Sequence, residues 1–359
     1  MGPSNLEPAD ADAARQVLET FLRERGVTDD DITAAQQHGN LGALVVEIAT
    51  GPAGTTSFAD AAADIGVDVE PARAAWRALG FPDPTVVEPR LRPEEIAALQ
   101  LIASVGAELL GPQAVLTLAR VVGDAAARVA NAVVDAFRAE VEVPRLSSGV
   151  PYEDVMRTYA GLVESSLPQL QAALAACVRR HLVTAAAGSW SLSEAEAVPE
   201  RELAVGFVDL VGWTSLTRTV GARELADLVR RFEGVVGETA DAHGTRIVKL
   251  LGDGAMFISP EPASACAFAL DVVAALAADP ALPDARAGVA AGPVMTFNGD
   301  FHGPVVNLAA RLAAVAQPGT VLADDQLRRR TPGRGYAEPQ TLELRGIAGA
   351  VSAAVVLPA

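Results

Sequence analysis

The spacing of apolar residues changes once along this chain, and the change requires two different folds. From about residue 9 to 182, Ala- and Leu-rich segments recur at helical spacing, broken by Pro, Gly and Asn, with almost no strand signal. After residue 202, short apolar runs alternate with helical stretches. At 359 residues the chain exceeds what one core ordinarily supports, so two domains are expected. The segment between them, 183–201, is small, polar and acidic. The expected organisation is therefore an all-α unit over 1–182, a linker over 183–201 and an α+β unit over 202–359.

Charge divides the same way. Residues 1–200 hold 28 acidic against 14 basic residues, and the remainder 17 against 14. The acidic half repels phosphate backbones and anionic lipid, which excludes nonspecific nucleic-acid or membrane binding there. The nearly balanced half is the better host for an anionic small molecule. The N-terminus has no basic segment followed by an apolar one, and no run approaches the ~18 apolar residues of a membrane span. A soluble, cytoplasmic protein is expected. Cys177 and Cys266 stand apart in apolar stretches without metal spacing, as reduced thiols do.

Within the first half, 57–80 reads as a helix, a turn at Gly66 and a second helix. Arg73 and Arg77 are the only cations of that second helix and Glu70 accompanies them, so a structural module is expected rather than a DNA reader. Helical stretches follow over 92–139 and 151–182, the latter kinked or broken at Pro168.

The second half reads as strand Leu203–Asp209, helix Thr214–Ala242, strands Thr245–Leu250 and Ala255–Ser259, helix Ala263–Ala278 and strand Ala285–Ala291. This is the βαββαβ order of a ferredoxin-like fold. A hairpin turning at Asn298-Gly299, a helix over Val305–Ala316 and a strand over Thr320–Ala323 come next.

Asp209 ends the first strand before Leu210-Val211-Gly212-Trp213-Thr214, where free amides at a helix start can take phosphate oxygens while the carboxylate holds a metal. Asp253 sits in the Gly252-Asp253-Gly254 turn, on a hairpin adjoining the first strand, so the two carboxylates converge. Such a pair suits two Mg²⁺ or Mn²⁺ ions and in-line attack on phosphorus. Lys249, the one lysine in the chain, stands four residues before Asp253. A compact three-donor cation fits where the planar fork of arginine does not. Asn307 and Arg311 are four apart on one helix face, shortly after Asp300.

In this order, Phe207-Val-Asp-Leu-Val-Gly-Trp-Thr214, Lys249-Leu-Leu-Gly-Asp-Gly254 and Gly299-Asp-Phe-His-Gly-Pro-Val-Val-Asn-Leu-Ala-Ala-Arg311 resemble the class III nucleotidyl cyclase catalytic domain. The match covers about the last 155 residues. The resemblance implies metals at Asp209 and Asp253, base reading by Lys249 and Asp300, and transition-state stabilisation by Asn307 and Arg311. It implies a homodimer too, since in that family one pocket draws on two subunits. Trp213 and His302 depart from the family's usual residues at their positions.

A Lys donor beside an Asp acceptor matches N1 and N6 of adenine and mismatches guanine. Buried mismatches of that kind discriminate by on the order of 10⁴. The expected reaction is attack of the ribose 3′-oxygen of ATP on the α-phosphorus, giving cyclic AMP and pyrophosphate. The first half resembles a helical regulatory domain of some bacterial cyclases, reading a small molecule, a lipid or a proton; His38 and His181 are its titratable candidates. Two rivals remain at this stage. A transcription regulator with a degenerate nucleotide sensor would need lost catalytic positions, and a diguanylate cyclase would need a Gly-Gly-Asp/Glu-Glu-Phe hairpin.

Overall fold

In the computed structural model, residues 8–38, 41–52, 54–84, 90–189 and 200–358 are described, and the chain divides into two compact units, 1–193 and 194–359. In the first unit, α1 (Pro8–Glu24), α2 (Asp29–Gln37) and α3 (Leu41–Ala49) precede a module of α4 (Phe58–Asp64), α5 (Val69–Ala78) and α6 (Pro93–Val105). Two-residue strands β1 (Thr56–Ser57) and β2 (Arg90–Leu91) pair antiparallel beside it. α7 (Pro112–Phe137), α8 (Val143–Ser147) and α9 (Tyr152–Ser189) complete the unit.

Local sequence explains where these helices begin. The Thr28 and Ser57 hydroxyls each accept the amide three residues on at 3.2 Å, and Asp29, Asp30 and Asp31 face the positive end of α2. Leu18, Phe21, Leu22, Val45, Phe137 and Tyr159 form one core; Phe58, Trp76, Leu91 and Leu99 form another. Gly66 adopts φ +69° between α4 and α5, the expected turn of the helix-turn-helix. Both arginines of α5 are paired, Arg73 with Glu70 and Arg77 with Asp83.

Two expectations need correction here, and at Pro168 one of the two expected outcomes, a break, is ruled out. The helix over 92–139 is interrupted by a π-helical turn, Gly106–Leu110, and by Gly111 at φ +77°, after which Pro112 opens α7. Pro168 lies inside α9 and does not end it. α9 runs to Ser189 and the next strand starts at Glu200, so 183–189 and 200–201 of the expected linker belong to regular elements. The alanines at 185–187 are strong helix formers and extend the helix. Residues 190–199 lie outside the described residues. From Gln171 to Ala185 every residue of α9 is exposed, including Leu174, Val178 and Leu182. No described helix is long and apolar enough to cross a membrane.

The second unit runs β3 (Glu200–Leu210), α10 (Trp213–Leu216), α11 (Ala222–His243), β4 (Arg246–Leu250), β5 (Gly254–Ser259), α12 (Pro262–Ala278) and β6 (Ala285–Phe297). Its sheet order β4-β5-β3-β6, with antiparallel neighbours, is ferredoxin-like. The chain continues through β7 (Asp300–His302), α13 (Pro304–Val315), β8 (Val321–Asp324), α14 (Asp325–Arg330), β9 (Gln340–Glu343) and β10 (Ala350–Val355). β8 adds parallel to β6, β10 and β9 extend that edge, and β7 pairs with β6. The helix expected over Thr214–Ala242 is two helices, parted by a turn that ends at Gly221, the N-cap of α11.

The sheet separates two cores. Phe232 and Val236 of α11 and Phe268 and Val272 of α12 cover Ala204, Val208 and Phe257. On the other face, Val305, Ala309 and Leu312 of α13 cover Leu203, Val205 and Met256. α13 sits unusually close to β6: a β-carbon at Gly288 would lie 2.1 Å from the Ala313 nitrogen. Only glycine permits that approach, and it fixes the height of the helix carrying Asn307 and Arg311.

Candidate active site

Strand register gathers the polar residues on the α13 face. Cross-strand partners share a face, and Gly288, Phe207, Met256 and Lys249 form one row across β6, β3, β5 and β4. The next row toward the end of β3 is Arg286, Asp209 and Gly254. Gly254 leaves room beside Asp209; a β-carbon there would lie 3.9 Å from the Asp209 Oδ1 and 2.9 Å from the Val208 carbonyl.

Asp209 and Asp253 are brought together as expected. The amide of Leu210, the residue after Asp209, donates to the Asp253 carbonyl at 2.9 Å, tying the hairpin tip to the end of β3. Burial pushes the Asp253 pKa up, its own backbone hydrogen bond opposes this, and the negative charge of Asp209 pushes it up further. Repulsion between carboxylates is what a shared cation relieves. Among the described residues no group of three His, Cys, Asp or Glu side chains gathers around a common point. Two carboxylates fit Mg²⁺ or Mn²⁺ completed by substrate phosphates and water, not a metal caged entirely by protein.

Sequence reasoning missed Arg286. Its Nη2 and Nε donate to the Asp209 Oδ2 at 2.9 and 3.1 Å, and its Nη1 donates to the Ala314 carbonyl at 2.6 Å. The available signal was a lone arginine in the strand Ala285–Ala291, otherwise Ala, Gly and Val.

Lys249 and Asp300 also meet. The Lys249 Nζ donates to the Asp300 Oδ2 at 2.5 Å, and the Phe301 amide donates to Oδ1 at 2.8 Å. Burial pushes the Asp300 pKa up, but the Lys249 hydrogen bond, the Phe301 amide and the positive charges of Lys249 and His302 outweigh it and hold the carboxyl below its ordinary range. His302 lies edge-on to Phe297 at 6.3 Å between ring centroids.

Of the five residues Leu210–Thr214 expected to offer amides, two have theirs engaged. The amides of Leu210 and Val211 are engaged by the carbonyls of Asp253 and Asp284, at 2.9 and 2.7 Å, which leaves those of Gly212, Trp213 and Thr214. Gly212 adopts φ +77° and turns the chain there, while Trp213 packs partly against the core under α11 and α12.

Asn307 and Arg311 are both exposed on α13. Asn307 borders a hollow of about 960 Å³ with His302, Gly303, Asp324, Arg330 and Ile347; neither Asp209 nor Asp253 lines it. Arg286 anchors Asp209 to Ala314 at the C-terminal end of α13, whereas Asn307 lies about 10 Å nearer the N-terminal end at 1.5 Å per residue. Within one chain, the carboxylate pair and Asn307 therefore stand at opposite ends of this helix.

An adenylate cyclase of Streptomyces coelicolor is 37% identical over 264 residues, 74% of this chain and 68% of that protein. An uncharacterized protein of Mycobacterium tuberculosis is 31% identical over 341 residues, 94% of this chain and 89% of that protein. A Mycobacterium tuberculosis protein named as a pH-sensitive adenylate cyclase is 30% identical over 358 residues, 95% of this chain and 87% of that one. Among solved structures, the adenylyl cyclase CyaB of P. aeruginosa aligns at 19% identity, over 45% of this chain and 96% of that chain, with a TM-score of 0.42. No protein-family model matches.

Proposed function

The chain belongs to the bacterial class III adenylate cyclases, and we propose that it converts ATP to 3′,5′-cyclic AMP and pyrophosphate in a homodimer whose pockets each draw on both subunits. One observation carries the substrate choice: the Lys249 ammonium and the Asp300 carboxylate lie side by side, 2.5 Å apart. That arrangement offers a donor next to an acceptor, the complement of N1 and N6–H of adenine. Asp300 retains unused lone pairs, so it can accept from the base without releasing Lys249. Guanine would present N1–H to an ammonium and O6 to a carboxylate, leaving both unpaired.

Asp209 and Asp253 would hold the metal ions. When bound, such ions lower the pKa of the 3′-hydroxyl and offset charge on the leaving pyrophosphate. Arg286 holds the Asp209 carboxylate in one orientation, and the amides of Gly212, Trp213 and Thr214 point a partial positive charge at the phosphate chain. Asn307 and Arg311 stabilise the transition state, Arg311 by offsetting the charge that builds on the phosphoryl oxygens. The separation of Asn307 from the carboxylate pair along α13 supports a pocket built by two copies, each supplying what the other lacks at that position.

In this reading the N-terminal unit, expected over 1–182, is regulatory. The relative named as pH-sensitive matches across both units, which supports a proton among the signals, and His181 is exposed on α9. The test of the activity is product analysis of the full chain with ATP or GTP and Mn²⁺. Cyclic AMP is expected to dominate by about two orders of magnitude or more, given the cost of mismatched polar groups. Equal yields of both cyclic nucleotides would overturn the substrate assignment.

A further inference from the structure

The base-reading pair spans two strands that share no ladder: β7 pairs with β6, while β4 lies at the far edge of the sheet. Side chains alone therefore set the distance between Lys249 on β4 and Asp300 on β7. Besides that ion pair, β4 reaches β7 through Arg246, whose guanidinium lies 5.8 Å from the centre of the Phe301 ring. Phe301 is 5% exposed, is packed in the core beneath α13, and through its amide holds the Asp300 Oδ1 at 2.8 Å.

A backbone irregularity makes the double contact feasible. Residues three apart on a regular strand point to opposite faces. In β4, however, Arg246 faces Ile258, Ile247 faces Phe257 and Lys249 faces Met256, with Val248 as the extra residue of a bulge. Ile258 and Met256 both belong to the core on the α13 face. The bulge thus turns Arg246 and Lys249 to the same side, one toward Phe301 and the other toward Asp300. Re-aiming a side chain beside a site is a recurrent use of such bulges.

We propose that Arg246 is a positioning residue for base recognition, acting through the Phe301 ring to set where Asp300 stands relative to Lys249. This rests on Lys249 and Asp300 being the base readers. Arg246 touches no reacting atom in this scheme, so its loss alters recognition and spares the chemical step.

The experiment is steady-state kinetics of the full chain with ATP and with GTP, comparing Arg246→Ala, Arg246→Gln, Arg246→Lys, Phe301→Leu and the Arg246→Ala/Phe301→Leu double variant. An exposed cation–ring contact corresponds to about a two- to fivefold effect. Arg246→Ala and Arg246→Gln are expected to raise KM for ATP by that factor and to lower the ATP-over-GTP preference similarly, with kcat unchanged. Arg246→Lys, which keeps a cation over the ring, is expected to recover part of both. The double variant should be no worse than Phe301→Leu alone. An unchanged KM and preference, a fall in kcat alone, or effects that multiply in the double variant would each overturn the proposal. The Lys249→Glu/Asp300→Cys exchange separates the two assignments. Should that exchange leave base preference intact, base reading itself is wrong; should it shift preference while Arg246→Ala does not, the positioning role alone falls.

Discussion

Arg286 grips one oxygen of Asp209 with two hydrogen bonds, at 2.9 and 3.1 Å, and with its other arm fastens that carboxylate to the last turn of α13 through the Ala314 carbonyl. The strand that bears Asp209 and the helix that bears Asn307 and Arg311 are thereby joined by one guanidinium.

Replacing Arg286 with Ala should lower kcat by about 10- to 100-fold, the usual range when a hydrogen-bonded charge loses its partner. Half-activating Mn²⁺ should not rise, because removing a neighbouring cation does not weaken a carboxylate's attraction for metal. A variant with wild-type kcat would show that Asp209 needs no orienting partner.

If Lys249 and Asp300 read the base as proposed, exchanging them, Lys249→Glu with Asp300→Cys, should sharply reduce ATP turnover and raise the relative use of GTP. Folded protein with unaltered ATP kinetics would remove both residues from base recognition.

Asp209→Ala and Arg311→Ala homodimers should each be nearly inactive. Mixed, they form heterodimers in which one pocket carries both lesions and the other neither, so activity should reappear. A mixture that stays inactive although subunit exchange is demonstrated would argue for pockets built within one chain.

Two glycines should answer oppositely to alanine. At Gly288 the new β-carbon would lie 2.1 Å from the Ala313 nitrogen, so α13 must lift, and both melting temperature and activity should fall. At Gly161, inside α9, nothing lies within 4 Å of the added carbon, and stability should rise by about 0.4–1 kcal/mol. Thermal unfolding of the two variants decides; equal behaviour would contradict the close seating of α13 on β6.

The Lys249–Asp300 pair fixes the sign of a pH effect. The folded-state pKa of Asp300 is held below its ordinary value, mainly by Lys249 working against burial, so the stabilisation is complete above the unfolded pKa, about 3.9. It disappears as pH falls through the depressed folded value. The melting temperature of the wild type should exceed that of Asp300→Asn at pH 7, with the gap closing in the acid range. Since both side chains are more than a third exposed, the gap should be small. A gap constant down to pH 3 would mean the carboxylate is not held by charge.

The βαββαβ order was legible because each strand is a short apolar run bounded by a turn signal, as in Leu203–Asp209 and the Gly252-Asp253-Gly254 hairpin. Asp209, Asp253, Lys249 and Asp300 were legible because uncommon residue types occupy those boundaries, and strand register then brings them into two pairs. Arg286 was not legible: its partner lies 77 positions away, and only the pairing of β3 with β6 brings it there. β9 escaped notice because Gln340–Glu343 is mostly exposed and polar, without the alternation of a half-buried strand. The Val248 bulge likewise depends on register and cannot be read from spacing.

The exposed stretch of α9 has a consequence for how the polypeptide breaks. Between Gln171 and Ala185 the helix is held by its own backbone hydrogen bonds with no packing to protect them, and such segments open locally at little cost. Arg179 and Arg180 stand in the middle of it. A trypsin-like protease should therefore nick the native protein there first, giving two fragments divided near Arg179 and Arg180 on a denaturing gel. Proteolysis at that one stretch would thus cut the covalent link between the helical half and the sheet-bearing half while leaving the cores of both intact.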